Sequence, residues 1–175
     1  MTRPLDPTGL KRLHREWRRR TAGRVALLLD SVQNPYNVGS ILRLAAAYRV
    51  EHLWLAGSTA APGHKGVAKT ALGSERFLSW TVVATPGEGA EQARAKGFTL
   101  IGVELVEGGR PLHEIATGDA VCLVVGHEDR GLSAGALAAC GQVAFLPQLG
   151  RVCSLNVATA AAIALYEVRR QEWTG

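Results

Sequence analysis

Asn37, Gly39 and Arg43 lie at the mouth of an apolar helical pattern, in the tract NPYNVGSILRLAAAYRV (34–50), directly after the strand-like run RVALLLD. An asparagine both donates and accepts hydrogen bonds, and an arginine presents a permanently charged planar fork suited to phosphate or carboxylate. Two later tracts have the same form. VVGHEDRGLS (124–133) carries Gly126, Glu128 and Gly131, and FLPQLGRVCSLNVATAAAIALYE (145–167) carries Leu146, Gly150, Ser154, Leu155 and Asn156. In each, an apolar strand passes into a helix through glycine and polar residues. The glycines permit close backbone approach or positive φ, and Asn37 and Ser154 are expected as helix caps. Singly, each tract also reads as no more than a capped helix after a buried strand, and Arg43 as one half of a surface ion pair.

Other chemistries find less support. GEGAEQ (87–92) nearly reads GxGxxG, but Gln92 stands at the third glycine and two glutamates would face a phosphate. It is expected to be a loop and helix start. There is no Walker pattern. HED (127–129) could suggest a metal, but consecutive side chains do not converge on a helix or strand, so no metal is expected. His14, His52, His64 and His113 have no motif spacing and read as surface or packing residues. Cys122, Cys140 and Cys153 are odd in number and lack CxxC spacing, so neither a disulfide framework nor a zinc site is expected.

Charge is concentrated at one end. Residues 1–24 hold eight lysines and arginines and two acidic residues, a surplus of six, whereas the rest of the chain nets −1. The segment LKRLHREWRRR reads as a basic helix with Leu10, Leu13 and Trp17 at helical spacing. Such a segment attracts polyanions, chiefly nucleic acid, through Arg15, Arg18, Arg19 and Arg20; the alternative is a solvated surface helix tethered by Trp17. No apolar run reaches the roughly 18 residues of a membrane span, and the N-terminus lacks the apolar core of a secretory signal. A reducing cytoplasm is the expected compartment.

The 175 residues, 47% hydrophobic, suit one domain with a real core. Strands are expected at 24–30, 51–55, 77–84, 98–104, 120–126 and 142–147, and helices at 38–48, 64–71, 88–96, 133–139 and 155–171. Several strands are continuously apolar, as strands buried on both faces are. The alternation argues for an α/β fold, a mostly parallel sheet covered by helices on both faces, whose ligands bind beyond the carboxyl ends of the strands. The expected organisation is a basic N-terminal segment at 1–23 and one domain at 24–175.

In order and spacing, N-x-G-x-x-x-R (Asn37, Gly39, Arg43), G-x-E-x-x-G-L (Gly126, Glu128, Gly131, Leu132) and LP…S-L-N-V before an alanine-rich helix resemble the three motifs of the SpoU/TrmH RNA ribose 2′-O-methyltransferases of the SPOUT superfamily. The resemblance covers about residues 24–171. It implies a deep C-terminal trefoil knot, a homodimer, and S-adenosylmethionine as cofactor with S-adenosylhomocysteine as product. Carried over by motif, the cofactor site comprises Val103, Glu104, Gly126, Glu128, Leu146, Ser154 and Leu155. Arg43 faces the reacting ribose, and Asn37 and Gly39 set the turn that aims it. Glu128, Ser154 and Asn156 position the reactants. The last helix, with its small residues, is expected near the partner subunit. The chain resembles short members of the family, which favours tRNA over rRNA; the body, the partner and the basic segment would then hold the RNA. Competing readings are a non-catalytic RNA-binding protein of the same fold, which would require loss of residues that are all present, and a dehydrogenase, which lacks the glycine fingerprint.

Overall fold

The computed structural model describes residues 3–174. Seven strands form one sheet: β1 (Arg24–Asp30), β2 (Leu53–Ala56), β3 (Trp80–Val83), β4 (Thr99–Val103), β5 (Arg110–Pro111), β6 (Ala120–Val125) and β7 (Gln142–Phe145). Their order is β3-β2-β1-β6-β4-β7-β5 and every pairing is parallel. The α/β expectation holds. The two-residue β5 adds to the expected set, and the strand expected at 77–84 is only Trp80–Val83, because Ser74–Phe77 forms a 3-10 turn instead.

The continuous apolar runs are explained by two cores. Leu27, Leu29, Leu55 and Leu123 face one side with α2 (Pro35–Ala47), α3 (Lys65–Ala71) and α6 (Val157–Thr174). Ala26, Leu28, Trp54 and Cys122 face the other with α4 (Pro86–Ala95) and α5 (Ala134–Ala139). Successive residues of a strand point to opposite faces, so covering both faces leaves no polar position in the middle. The sequence GEGAEQ lies inside α4, which Thr85 caps at the Glu88 amide.

The chain lays β1, β2 and β3 outward in one direction, then returns to place β4 two positions beyond β1, with β6 later inserted between them. The carboxyl ends of β1, β6, β4 and β7 therefore stand side by side at a topological switch point, where open α/β sheets bind ligands.

The basic segment forms α1 (Pro7–Arg19), which has no buried residue. Its attachment is at its C-terminal end. The Trp17 and Trp173 rings lie 4.8 Å apart, Trp173 Nε1 donates to Thr21 Oγ1 at 2.9 Å, and Glu172 accepts from the amides of Ala22 and Gly23. These contacts sit at the start of β1, at the opposite end of the strands from the switch point. Arg169, 3% exposed, secures the same corner: it donates to the carbonyls of Gly23, Tyr48 and Arg49 and pairs with Glu172 at 3.1 Å. Nothing in the local sequence VRRQE distinguishes Arg169 from Arg170; its burial arises from contacts more than a hundred residues away.

Candidate active site

The first tract differs from expectation in one useful way. Helix α2 begins at Pro35, and its cap is Asn34, whose Oδ1 accepts from the Tyr36 amide at 3.0 Å. Proline is pre-organised for the first helical position, and that signal is present in the sequence. Asn37 is thus not a cap. It lies inside the helix with its carboxamide free to act elsewhere.

Asn37 joins the other two tracts. Its Nδ2 donates to Glu128 Oε1 at 3.0 Å, and its Oδ1 accepts from Asn156 Nδ2 at 3.0 Å. Asn156 Oδ1 accepts from the amides of Ala158 and Thr159, at 2.9 and 3.3 Å. Asn156, and not Ser154, therefore caps α6, which starts at Val157. Glu128 also accepts from the amides of Asn34 and Gln33, at 3.0 and 3.3 Å. Burial pushes the Glu128 carboxyl upward, but the bonds from Asn37 and from the backbone amides of Glu128, Asn34 and Gln33 together outweigh it and hold the group below its ordinary value. Both of its oxygens are engaged. It is a clamp between loops and a poor proton acceptor.

Beside this node is a cavity of ≈ 380 Å³, within the size range of small-molecule sites. Val103, Glu104, Gly126, Glu128, Leu146, Ser154 and Leu155 all line it. Sequence reasoning missed His127, Gln148, Cys153, Val157 and Ala160. His127 is weighed in the sequence only within HED, as a metal ligand; the others carry no signal outside the motif as a whole. Glu104 accepts from the amides of Leu132 and Leu105, at 3.0 and 2.9 Å, so it too braces a loop. His127 Nδ1 accepts from the Asp129 amide at 3.0 Å. In the neutral ring that bond places the N–H on Nε2.

The glycines act within the protein. The loop 127–131 closes on itself through two bonds between His127 and Gly131, at 3.0 and 2.9 Å. A Cβ on Gly126 would overlap the backbone of Gly131 and Leu132. Gly131 has φ +66, and a Cβ there would strike the Glu104 carboxylate. Gly39 does not set a turn: it is buried inside α2, where a Cβ would overlap Thr70 Oγ1 and the Val67 carbonyl of α3. Gly150 has open space around it and no positive φ.

Arg43 lies two turns into α2, exposed, with no hydrogen bond or ion pair to any described residue. It does not line the cavity. Arg15, Arg18, Arg19 and Arg20 are exposed on or just beyond α1; Arg18 Nε donates to the His14 carbonyl at 3.3 Å, and the Arg20 guanidinium lies 4.6 Å from the Trp17 ring centre. The thiols are free: Cys122 buried, Cys140 partly buried, Cys153 exposed in the cavity wall. His64, read as a surface or packing residue, caps α3 through the Gly66 amide. Among the described residues no group of three or more histidines, cysteines or carboxylates could hold a metal ion, and no helix is long and apolar enough to cross a membrane.

The family description SpoU rRNA Methylase matches residues 24–166. An uncharacterized tRNA/rRNA methyltransferase of Synechocystis is 35% identical over 150 residues, 86% of this chain and 54% of that protein. The chain therefore spans about half the length of this relative. The tRNA (guanosine(18)-2′-O)-methyltransferase of Escherichia coli is 28% identical over 172 residues, 95% of this chain and 72% of that one. The SpoU methyltransferase AviRb of Streptomyces viridochromogenes, solved in complex with the cofactor AdoMet, superposes with a TM-score of 0.78 at 31% identity, covering 88% of this chain and 60% of that one. The match runs through all three tracts that Asn37, Glu128 and Asn156 tie together, and the chain belongs to the SpoU rRNA Methylase family.

Proposed function

We propose that this protein transfers a methyl group from S-adenosylmethionine to a ribose 2′-hydroxyl of RNA. The observation that carries the reading is the convergence of the three tracts on one cavity, held together by the Glu128–Asn37–Asn156 chain. The cavity suits the cofactor in chemistry as well as size. Its lining includes an apolar set, Leu146, Leu155 and Val157, and a charged set, Glu128, Asp129 and Arg130. A planar adenine fits the first and the charged sulfonium and amino-acid groups fit the second. When bound, the cofactor supplies an electrophilic methyl on a positively charged sulfur and leaves as S-adenosylhomocysteine.

The residues of this chain bind and orient. Arg43, free of protein partners, is available to grip an RNA phosphate bidentately and to stabilise negative charge developing on the ribose oxygen. It is not the base, because a guanidinium stays protonated in proteins. Glu128 Oε1 is committed to Asn34 and Asn37, and the ribose proton passes to a nearby acceptor or to water. Ser154, exposed at the cavity rim, is placed to orient the reactants.

The working unit is a homodimer, with α6 at the partner. The outer side of α6 exposes Ile163 and Tyr166, at 43% and 50%. The loops after β6 and β7 form the family's trefoil knot. Residues 1–23 are a basic arm on the methyltransferase domain at 24–175. The substrate is tRNA in preference to rRNA, and the compartment is the cytoplasm, which suits three unpaired thiols. Mapping 2′-O-methyl positions in total RNA from cells with and without the gene tests the reading; an unchanged map overturns it.

A further inference from the structure

Outside the basic arm the charge is unevenly spread. The rest of the chain nets −1, yet residues 35–80 hold five lysines and arginines against two carboxylates, so the excess of acid lies elsewhere. Of those two carboxylates, Glu51 is paired with Arg24 at 2.7 Å, which leaves Glu75. Three of the cations follow the outer side of the layer that α2 and α3 form on the sheet. Tyr36, Ser40 and Arg43 recur at helical spacing on α2, and Tyr36 and Arg43 are exposed. Helix α3 is held beside them: Thr70 Oγ1 donates to the Tyr36 carbonyl at 2.9 Å. Gly66, Val67 and Ala71 are the buried residues of α3, so Lys65 and Lys69, one turn apart, take its outer side. Both are exposed, with no hydrogen bond or ion pair to any described residue.

Beyond α3 the same layer ends in open aromatic rings. The turn Ser74–Phe77 packs beside α2. Phe77 projects from it 70% exposed, with the Arg76 guanidinium 4.7 Å from its ring centre. β3 is an edge strand, and Trp80 pairs in register with Leu53, which belongs to the core under α2 and α3. Paired residues of a parallel sheet share a face, so Trp80 is directed to that side, yet it is 41% exposed. Unpaired cations beside open aromatic faces are what a single-stranded nucleic acid needs, phosphates meeting charge and bases meeting rings. A protein partner fits less well, because lysines are depleted from protein interfaces. We propose that the outer face of α2 and α3, continued by Ser74–Phe77 and the start of β3, holds unpaired nucleotides of the substrate RNA. Lys65 and Lys69 neutralise phosphates, and Phe77 and Trp80 stack on bases. This assignment rests on the RNA reading above. Arg43 stands on the same face, so the nucleotide that receives the methyl group lies in a loop or other unpaired segment of the RNA.

The test is a fluorescence-anisotropy titration with two labelled probes, single-stranded oligouridylate and a blunt RNA duplex. The proteins are the full chain, Phe77→Ala, Phe77→Tyr, and the double variant Lys65→Gln, Lys69→Gln. Phe77→Ala is expected to bind the single strand about tenfold more weakly, the loss of one stacked base, and the duplex as the natural protein does. Phe77→Tyr, which keeps a ring, retains the affinity. The lysine variant weakens single-strand binding and flattens the slope of log K against log salt by about 0.7 for each phosphate released. Melting temperature and S-adenosylhomocysteine affinity should not change, since Lys65, Lys69 and Phe77 are exposed and outside the cavity. Natural single-strand affinity in both Phe77→Ala and the lysine variant overturns the assignment, as does an equal loss on the duplex with Phe77→Ala. So does a Phe77→Ala protein that binds RNA normally but loses an oligomer in sedimentation, which gives the face to a second copy. These results leave the methyl-transfer reading standing, because cofactor binding and the map of 2′-O-methyl positions are read separately. A natural protein that binds neither probe, together with an unchanged methylation map in cells without the gene, overturns both.

Discussion

Glu128 Oε1 lies 3.0 Å from Asn37 Nδ2, a bond that spans 91 residues and joins the loop after β6 to the helix after β1. The same carboxylate takes the amides of Gln33 and Asn34. Its charge is used to hold backbone in place, and this ordering is what brings the tracts into register beside the cavity.

Glu128→Gln replaces one acceptor oxygen by an NH₂ that faces backbone N–H groups. The expected cost is about 1–3 kcal/mol of stability, with weakened cofactor binding. The pH dependence has a definite sign. The folded carboxyl is depressed below its ordinary value of 4.5, so its contribution is complete above that value and is lost as pH falls through the folded one. Melting temperature against pH should show a shallower acid limb in the variant; parallel acid limbs would remove Glu128 as an anchor.

Arg43→Ala is expected to keep cofactor affinity, since Arg43 does not line the cavity, and to lose most methyl transfer. Arg43→Lys should not restore it, because a point charge does not reproduce a planar fork. Single-turnover methylation alongside calorimetry separates the two effects. Near-normal transfer by the alanine variant would make the motif structural.

Gly39→Ala and Gly126→Ala act on different things. The first pushes α2 off α3 at Thr70 and the Val67 carbonyl, and neither backbone can yield without moving a helix. A loss of about 1–3 kcal/mol is expected, read by denaturant unfolding. The second opens the 127–131 loop against Gly131 and Leu132. It should abolish cofactor binding by displacing the loop, even though the new methyl is directed at the protein's own backbone. Tight binding by a folded Gly126→Ala would contradict this packing.

Much of the fold is legible in the sequence alone. The strands are visible because both faces of the sheet are covered, so apolar residues run without interruption through LLL and CLVV. The three tracts are visible because a strand-end loop that carries chemistry needs glycine and polar residues where a plain turn does not. What the sequence hides is set by distant contacts. Asn34 and Asn37 are the same residue type three positions apart, and only Pro35 separates the cap from the linker. Gln148 and Arg169 are ordinary polar residues in polar stretches until the fold buries the oxygen of one and the whole side chain of the other.

Point substitutions in the basic arm separate charge from packing more cleanly than a truncation would. Trp17 packs against Trp173 with the rings tilted, and residues 21–23 are tied to Trp173, Glu172 and Arg169. Removing residues 1–20 therefore deletes an anchor as well as charge. Arg15 and Arg19 are exposed and make no hydrogen bond or ion pair with the described residues. The double variant Arg15→Gln, Arg19→Gln should leave the melting temperature, cofactor affinity and methylated position unchanged. RNA binding should weaken, and the slope of log K against log salt should flatten by about 0.7–0.9 for every phosphate that the arm no longer neutralises. The position should hold because binding to phosphate carries no sequence information. Unchanged RNA affinity and salt slope would confine the arm to packing through Trp17, and a shifted methylation position would give it a part in choosing the target.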